Sequence, residues 1–221
     1  VALTRDPTIE PATDDWPFLY LRDRHIPRHY IVVTGFMMAA SWLLVWAVGR
    51  GEAGRWSWSL FWLGAGFMLL ETRAITTLAL LWGSTWIVAS IAIAAVLVMA
   101  LVSTAVVART EVTRPWAVVG LLVALLSANY LVPVGRVPFE SRPAESLFYA
   151  SLQFSPILCA GLLFGSAIKR SRSLSRDYGA NLVGAMAGGA AEYVSLVSGF
   201  RWLLVLVAGC YVLAVATRRR G

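Results

Sequence analysis

Seven apolar runs follow one another through this chain with only short polar stretches between them. They cover residues 28–49, 57–82, 86–107, 116–132, 146–168, 179–197 and 202–216. An α-helix rises about 1.5 Å per residue, so about 20 residues cross the ~30 Å hydrocarbon layer of a bilayer. Inside that layer every backbone polar group must find its partner within the protein, which leaves helices and closed barrels. The runs lack the alternation and the ~10-residue length of barrel strands. The pattern therefore predicts an all-α fold, a polytopic membrane helix bundle of about seven transmembrane helices. Composition agrees. Hydrophobic residues make up 58%, charged residues 14%, and the mean hydropathy is +0.69. Too few polar side chains remain to coat a soluble enzyme domain, and a disordered chain needs the opposite balance.

The layout that follows is a polar, interfacial tail over 1–26, a transmembrane domain over 27–217 and a basic tail over 218–221. Trp56, Trp58, Trp82, Trp86, Trp116 and Trp202 stand near run ends, as an aromatic belt requires. With seven crossings, the loops at 50–56, 108–115 and 169–178 and the C-tail hold more Lys and Arg than the opposite side. The positive-inside rule then puts the N-tail outside. The alternative has six crossings, with 57–82 dipping in and returning at Glu71-Thr72-Arg73. No Gly or Pro breaks 67–82, and open backbone at such an elbow is costly.

The net charge of +7 comes almost wholly from Arg, with Lys169 the single Lys. In a chain this apolar, such charge faces membrane lipid, and nucleic acid is not expected as a partner. Cys159 and Cys210 sit inside apolar runs without a CxxC pair. His25 and His29 have no third ligand beside them. No metal and no cofactor is expected.

Glu71, Arg73 and Glu192 are the charges inside the runs, and a charge at bilayer depth needs a reason. Two readings of Glu71 and Arg73 stand: a substrate or proton site, and an ion pair between helices. Two residues apart is about 200° around a helix, so these two diverge. Asn181, Gly184, Gly188, Glu192, Ser195 and Gly199 follow steps of three and four and share one face. That face suits close helix packing, or else a cavity in which Glu192 binds a cation. Gly66 lies on the face of Arg73, so a flat contact between the two faces predicts an Arg73–Glu192 pair. Asn129 and Gln153 add polar atoms to the fourth and fifth runs. Pro156 frees the carbonyl four residues before it. No catalytic residue is assigned.

Three strings occur in order: Thr13-Asp14-Asp15-Trp16-Pro17-Phe18-Leu19-Tyr20; Leu63 to Glu71 with Gly83-Ser84-Thr85-Trp86; and Asn181 to Met186 with Gly188-Gly189, Glu192-Tyr193 and Ser195. Together they resemble the C-terminal transmembrane half of bacterial membrane-bound spermidine-synthase-like proteins, over about 13–213. The resemblance implies a multi-pass domain of the bacterial inner membrane that anchors, and helps to handle substrate for, an aminopropyltransferase-like domain. That domain is missing here. Gly64-Ala65-Gly66 lies in an apolar run and lacks a third Gly. The chain starts at Val1 and is expected to be a piece of a longer protein. Its cytoplasmic enzyme domain would lie N-terminal to Val1, which asks for the N-tail inside. The alternatives are a transporter-like module for a small cation or a lipid-linked substrate, and a structural subunit beside other membrane subunits.

Overall fold

The computed structural model of the chain describes residues 13, 15–18, 21–49, 56–132, 141–171 and 173–218. Most of the expected 1–26 tail, the proline loop at 133–140 and Arg219–Gly221 lie outside the described residues. The elements are α1 Arg28–Gly49, α2 Trp58–Trp82, α3 Trp86–Arg109, α4 Pro115–Leu131, α5 Arg142–Lys169, α6 Leu174–Glu192, the single turn α7 Ser195–Ser198, and α8 Arg201–Ala216. The fold is all-α, and no strand occurs among the described residues. Pro115 opens α4 and Pro143 sits in the first turn of α5, where a missing N–H costs nothing. Thr85 caps α3 by accepting the Val88 N–H at 3.4 Å.

Among the described residues four helices are long and apolar enough to cross a membrane: Arg28–Ala47, Trp58–Trp82, Trp86–Arg109 and Pro143–Lys169. Pro115–Leu131 and Arg201–Ala216 are apolar but shorter. Helix α2 runs unbroken through Glu71, Thr72 and Arg73, which removes the re-entrant alternative. Its backbone bonds stay within the helix, where an elbow would have opened them. The sixth run departs most from expectation. It splits after Glu192, where the chain tightens into i→i−3 bonds: Tyr193 N–H donates to Ala190 O and Val194 N–H to Ala191 O, at 3.2 and 3.1 Å.

Helix α2 forms the centre. Against α6 it packs backbone to backbone. A Cβ on Gly184 would fall on the Phe61 carbonyl, one on Gly188 on the Ala65 carbonyl, and one on Gly64 on the Asn181 carbonyl. Small residues permit this approach, and a polar group adds to it: Asn181 Nδ2 donates to Leu60 O at 3.1 Å. Against α8 the helix runs antiparallel. Ser59 Oγ donates to Ala214 O at 2.7 Å, and the Tyr211 ring lies over Gly66. Helices α3 and α5 meet through Gly161 and Ser103, and α4 packs on α5 and α8. Helix α1 stands outside on α6, with Val45 over Gly179 and Tyr30 stacked on Tyr193 at 4.9 Å.

Candidate functional site: a clamp over the start of α8

Helix α2 presents two faces. Phe61, Ala65, Met68 and Thr72 follow steps of three and four and turn toward α6. Ser59, Gly66 and Arg73 are seven apart, nearly two full turns, and form a second stripe along α8. Because the two helices are antiparallel, Arg73 is carried toward the N-terminus of α8 and away from α6.

A strap waits there: residues 13–27, of which 14, 19 and 20 lie outside the described set. Its first turn is closed by Thr13 N–H to Trp16 O at 3.0 Å and Trp16 N–H to Thr13 O at 2.9 Å. This turn presents Asp15 and Trp16 to the junction of α7 and α8. Trp16 is 1% exposed, and its Nε1–H donates to Leu196 O at 2.7 Å. Leu21 and Leu196 are buried with it. Phe18 stacks on Phe200 at 5.3 Å, and the Arg24 guanidinium lies 5.6 Å from the Trp16 ring centroid.

Asp15 acts as a helix cap from 186 positions away. Phe200, at the N-cap position of α8, has no side-chain oxygen to offer. The main-chain O of Asp15 accepts the Phe200 N–H at 2.8 Å, and Oδ1 accepts the Arg201 N–H at 2.8 Å. Oδ2 lies over Gly199, where a Cβ would meet it at 2.5 Å. Gly199 also has φ +90°, so both space and backbone require glycine there. The N-terminal end of a helix favours negative charge, which adds to the hold on Asp15.

Arg73 completes the site. Asp15 is the acid and Arg201 the base whose charges reach it at this end of α8, and it forms no ion pair with either among the described residues. Its Nε is shielded from solvent and has no hydrogen-bond partner among the described residues. Arg201, half-buried, lies over the Tyr130 ring at 5.7 Å.

This corrects the expected Arg73–Glu192 pair, which is absent from the ion pairs among the described residues. The cause is the stripe: Gly66 and Arg73 do share a face, but that face looks at α8. Glu192 ends α6 and lies on the Thr72 side of α2, away from the stripe that carries Arg73. Ser195 and Gly199 also leave the expected six-residue face, because the helix breaks after Glu192. Ser195 is buried in α7.

The remaining polar residues hold helices together. Asn129 Nδ2, in α4, donates to Leu152 O of α5 at 2.9 Å and to Leu125 O at 3.0 Å. Leu152 O is the carbonyl that Pro156 frees, and Ser155 Oγ donates to it as well at 3.1 Å. Gln153 is buried one residue further on. Glu71 is half-buried, with no hydrogen bond or ion pair among the described residues. His25 Nδ1 lies 3.0 Å from Asp23, and His29 packs on Tyr30. At the opposite end of the bundle Lys169 Nζ donates to Val107 O at 3.0 Å and Arg218 donates to Ser166 Oγ at 2.9 Å. Burial, and then the charge of Arg170, lower the Arg218 pKa from the usual arginine value.

A cavity of about 500 Å³ opens between α1 and α6. Met37, Met38, Met68 and Met186 line it, and neither Glu71 nor Glu192 does. The clamp joins no cluster of three metal-ligating side chains among the described residues. Its chemistry is that of fixing a segment and a charge in place. No protein-family model, curated protein or solved structure matches this chain.

Proposed function

We propose that this chain is the membrane-embedded part of a bacterial spermidine-synthase-like protein. In this reading the bundle crosses the inner membrane seven times with its strap end in the cytoplasm, the reverse of the side its Lys and Arg count favours, and holds there a soluble aminopropyltransferase-like domain N-terminal to Val1. The clamp carries the reading. A segment that merely links two parts needs no buried Trp and no carboxylate seated on a helix end. This strap has both, so the chain that leads into the bundle is fixed against it at Asp15 and Trp16. Exposed rings at helix starts (Trp58, Trp86, Trp116 and Trp202) support the membrane setting, since such rings suit headgroup depth. The exposed apolar faces of α1 and α3 suit lipid contact. A transport reading gains no support from the cavity, whose lining is apolar and bypasses both intramembrane acids.

A spin label at Arg22, an exposed strap position, tests the anchor. In lipid nanodiscs the label is expected to be immobile in the wild-type background and mobile in Trp16→Ala. A label equally mobile in both would mean that the strap is not clamped and that the anchor reading fails.

A further inference from the structure

Helix α1 meets α6 toward its two ends and stands off between them. Tyr30 stacks on Tyr193 at one end, and Val45 covers Gly179 at the other. The gap is the cavity of about 500 Å³, within the about 300–1,000 Å³ of small-ligand sites. Its lining runs from Thr34 to Val45 on α1, about 16 Å along the helix axis. That is close to half of the ~30 Å hydrocarbon layer, the depth that the chains of one leaflet cover.

The walls fit a flexible hydrocarbon chain. Met37, Leu44 and Leu182 form an exposed rim, while Val183, 1% exposed, forms the floor. The cavity therefore opens sideways, where a membrane helix meets lipid. Four of the chain's five methionines, Met37, Met38, Met68 and Met186, line it. Methionine is unbranched and adapts its shape to what it touches. On the α6 wall Gly189 leaves room, since a Cβ there would meet only Met68 Cγ, at 3.9 Å. Water stays in a cavity only where several polar groups receive it, and an apolar one holds none. An empty cavity forfeits dispersion contacts along its whole lining. At bilayer depth the filler at hand is a lipid tail.

We infer that the cavity between α1 and α6 is a binding site for one phospholipid acyl chain, which fills the gap and completes the contact of α1 with the bundle. The inference rests on the membrane setting proposed above and is independent of any attached domain.

The purified chain is placed in phosphatidylcholine nanodiscs that contain a phosphatidylcholine with a photoreactive diazirine on one acyl chain. After illumination, mass spectrometry compares crosslinks on the peptides of Met37–Met38 and Met186 with those on the exposed α3 face at Leu97 and Leu101. Several-fold more crosslinking is expected at the cavity. Gly189→Leu and Ser41→Leu each fill the cavity, from α6 and from α1. Each is expected to cut the cavity crosslinks several-fold and to leave those on α3 unchanged, and either variant decides if the other does not fold. Equal crosslinking of the two faces in the wild type overturns the inference alone, because the lipid is then an ordinary annulus. So does weaker crosslinking at the cavity, as when another segment of the chain fills it, or wild-type crosslinking in the filled variants. No crosslink on either face overturns the membrane setting and the inference with it.

Discussion

Helices α1 and α2 are close in length, 22 and 25 residues, and both are apolar enough to cross a membrane. Yet none of the most apolar stretch of α1 is buried, against half of that in α2. Their glycines differ in the same way. A Cβ on Gly35 of α1 would meet nothing within 4 Å, while one on Gly64 or Gly66 of α2 would run into α6 or α8. Hydropathy therefore decides whether a helix suits a membrane, and small or polar residues decide which helix sits at the centre. Lipid tails are as apolar as Leu, so helices in lipid gain by close packing and hydrogen bonds more than by burying apolar surface.

The sharpest break in this comparison comes from making one substitution on both sides of it. Gly184→Ala drives a methyl into the Phe61 carbonyl and is expected to cost about 2–3 kcal/mol, the upper part of the ~1–3 kcal/mol range for overpacking. Gly35→Ala, in open space on α1, is expected to stabilise by about 0.5 kcal/mol through the unfolded chain. Reversible unfolding in mixed detergent micelles reads both, and equal effects would erase the distinction. A smaller effect than the first tests how α1 is attached. Tyr193→Ala removes the stack on Tyr30 and is expected to cost about 1 kcal/mol. Amide exchange should rise at the Tyr30 end of α1 and stay unchanged in α2. A rise in α2 instead would mean that the stack supports the centre.

Much of this architecture is legible in the amino-acid sequence. The apolar runs locate the long helices to within a few residues, because length and hydropathy are local properties. The face of Asn181, Gly184 and Gly188 is legible because steps of three and four are local too, and α2 packs on it. Pro156 announces a freed carbonyl, but nothing near it says that Asn129, 27 positions earlier, supplies the donor. The clamp is the least legible part. Trp16 and Leu196 are 180 positions apart, and no periodicity connects a polar tail to the start of the last helix. By residue type alone, Asp15 and Trp16 are merely headgroup-level residues. The pattern does hold two hints. Phe200 cannot cap the helix it precedes, so a cap has to come from elsewhere. Ser59, Gly66 and Arg73 form a stripe distinct from the one that meets α6, so Arg73 has no route to Glu192.

The division of α2 into an α6 face and an α8 face is the central claim, and Arg73 is where it can be measured. Two double-mutant cycles share Arg73→Gln, one with Asp15→Asn and one with Glu192→Gln, each followed by unfolding free energy in detergent. Groups in contact couple by about 0.5–3 kcal/mol, and groups without contact add within about 0.3–0.5 kcal/mol. The arrangement of the strap over α8 brings the Asp15 charge, and not that of Glu192, to the Arg73 end of the stripe, and predicts coupling of about 1 kcal/mol for Arg73 with Asp15 and additivity with Glu192. Coupling of that size to Glu192, with additivity to Asp15, would contradict it.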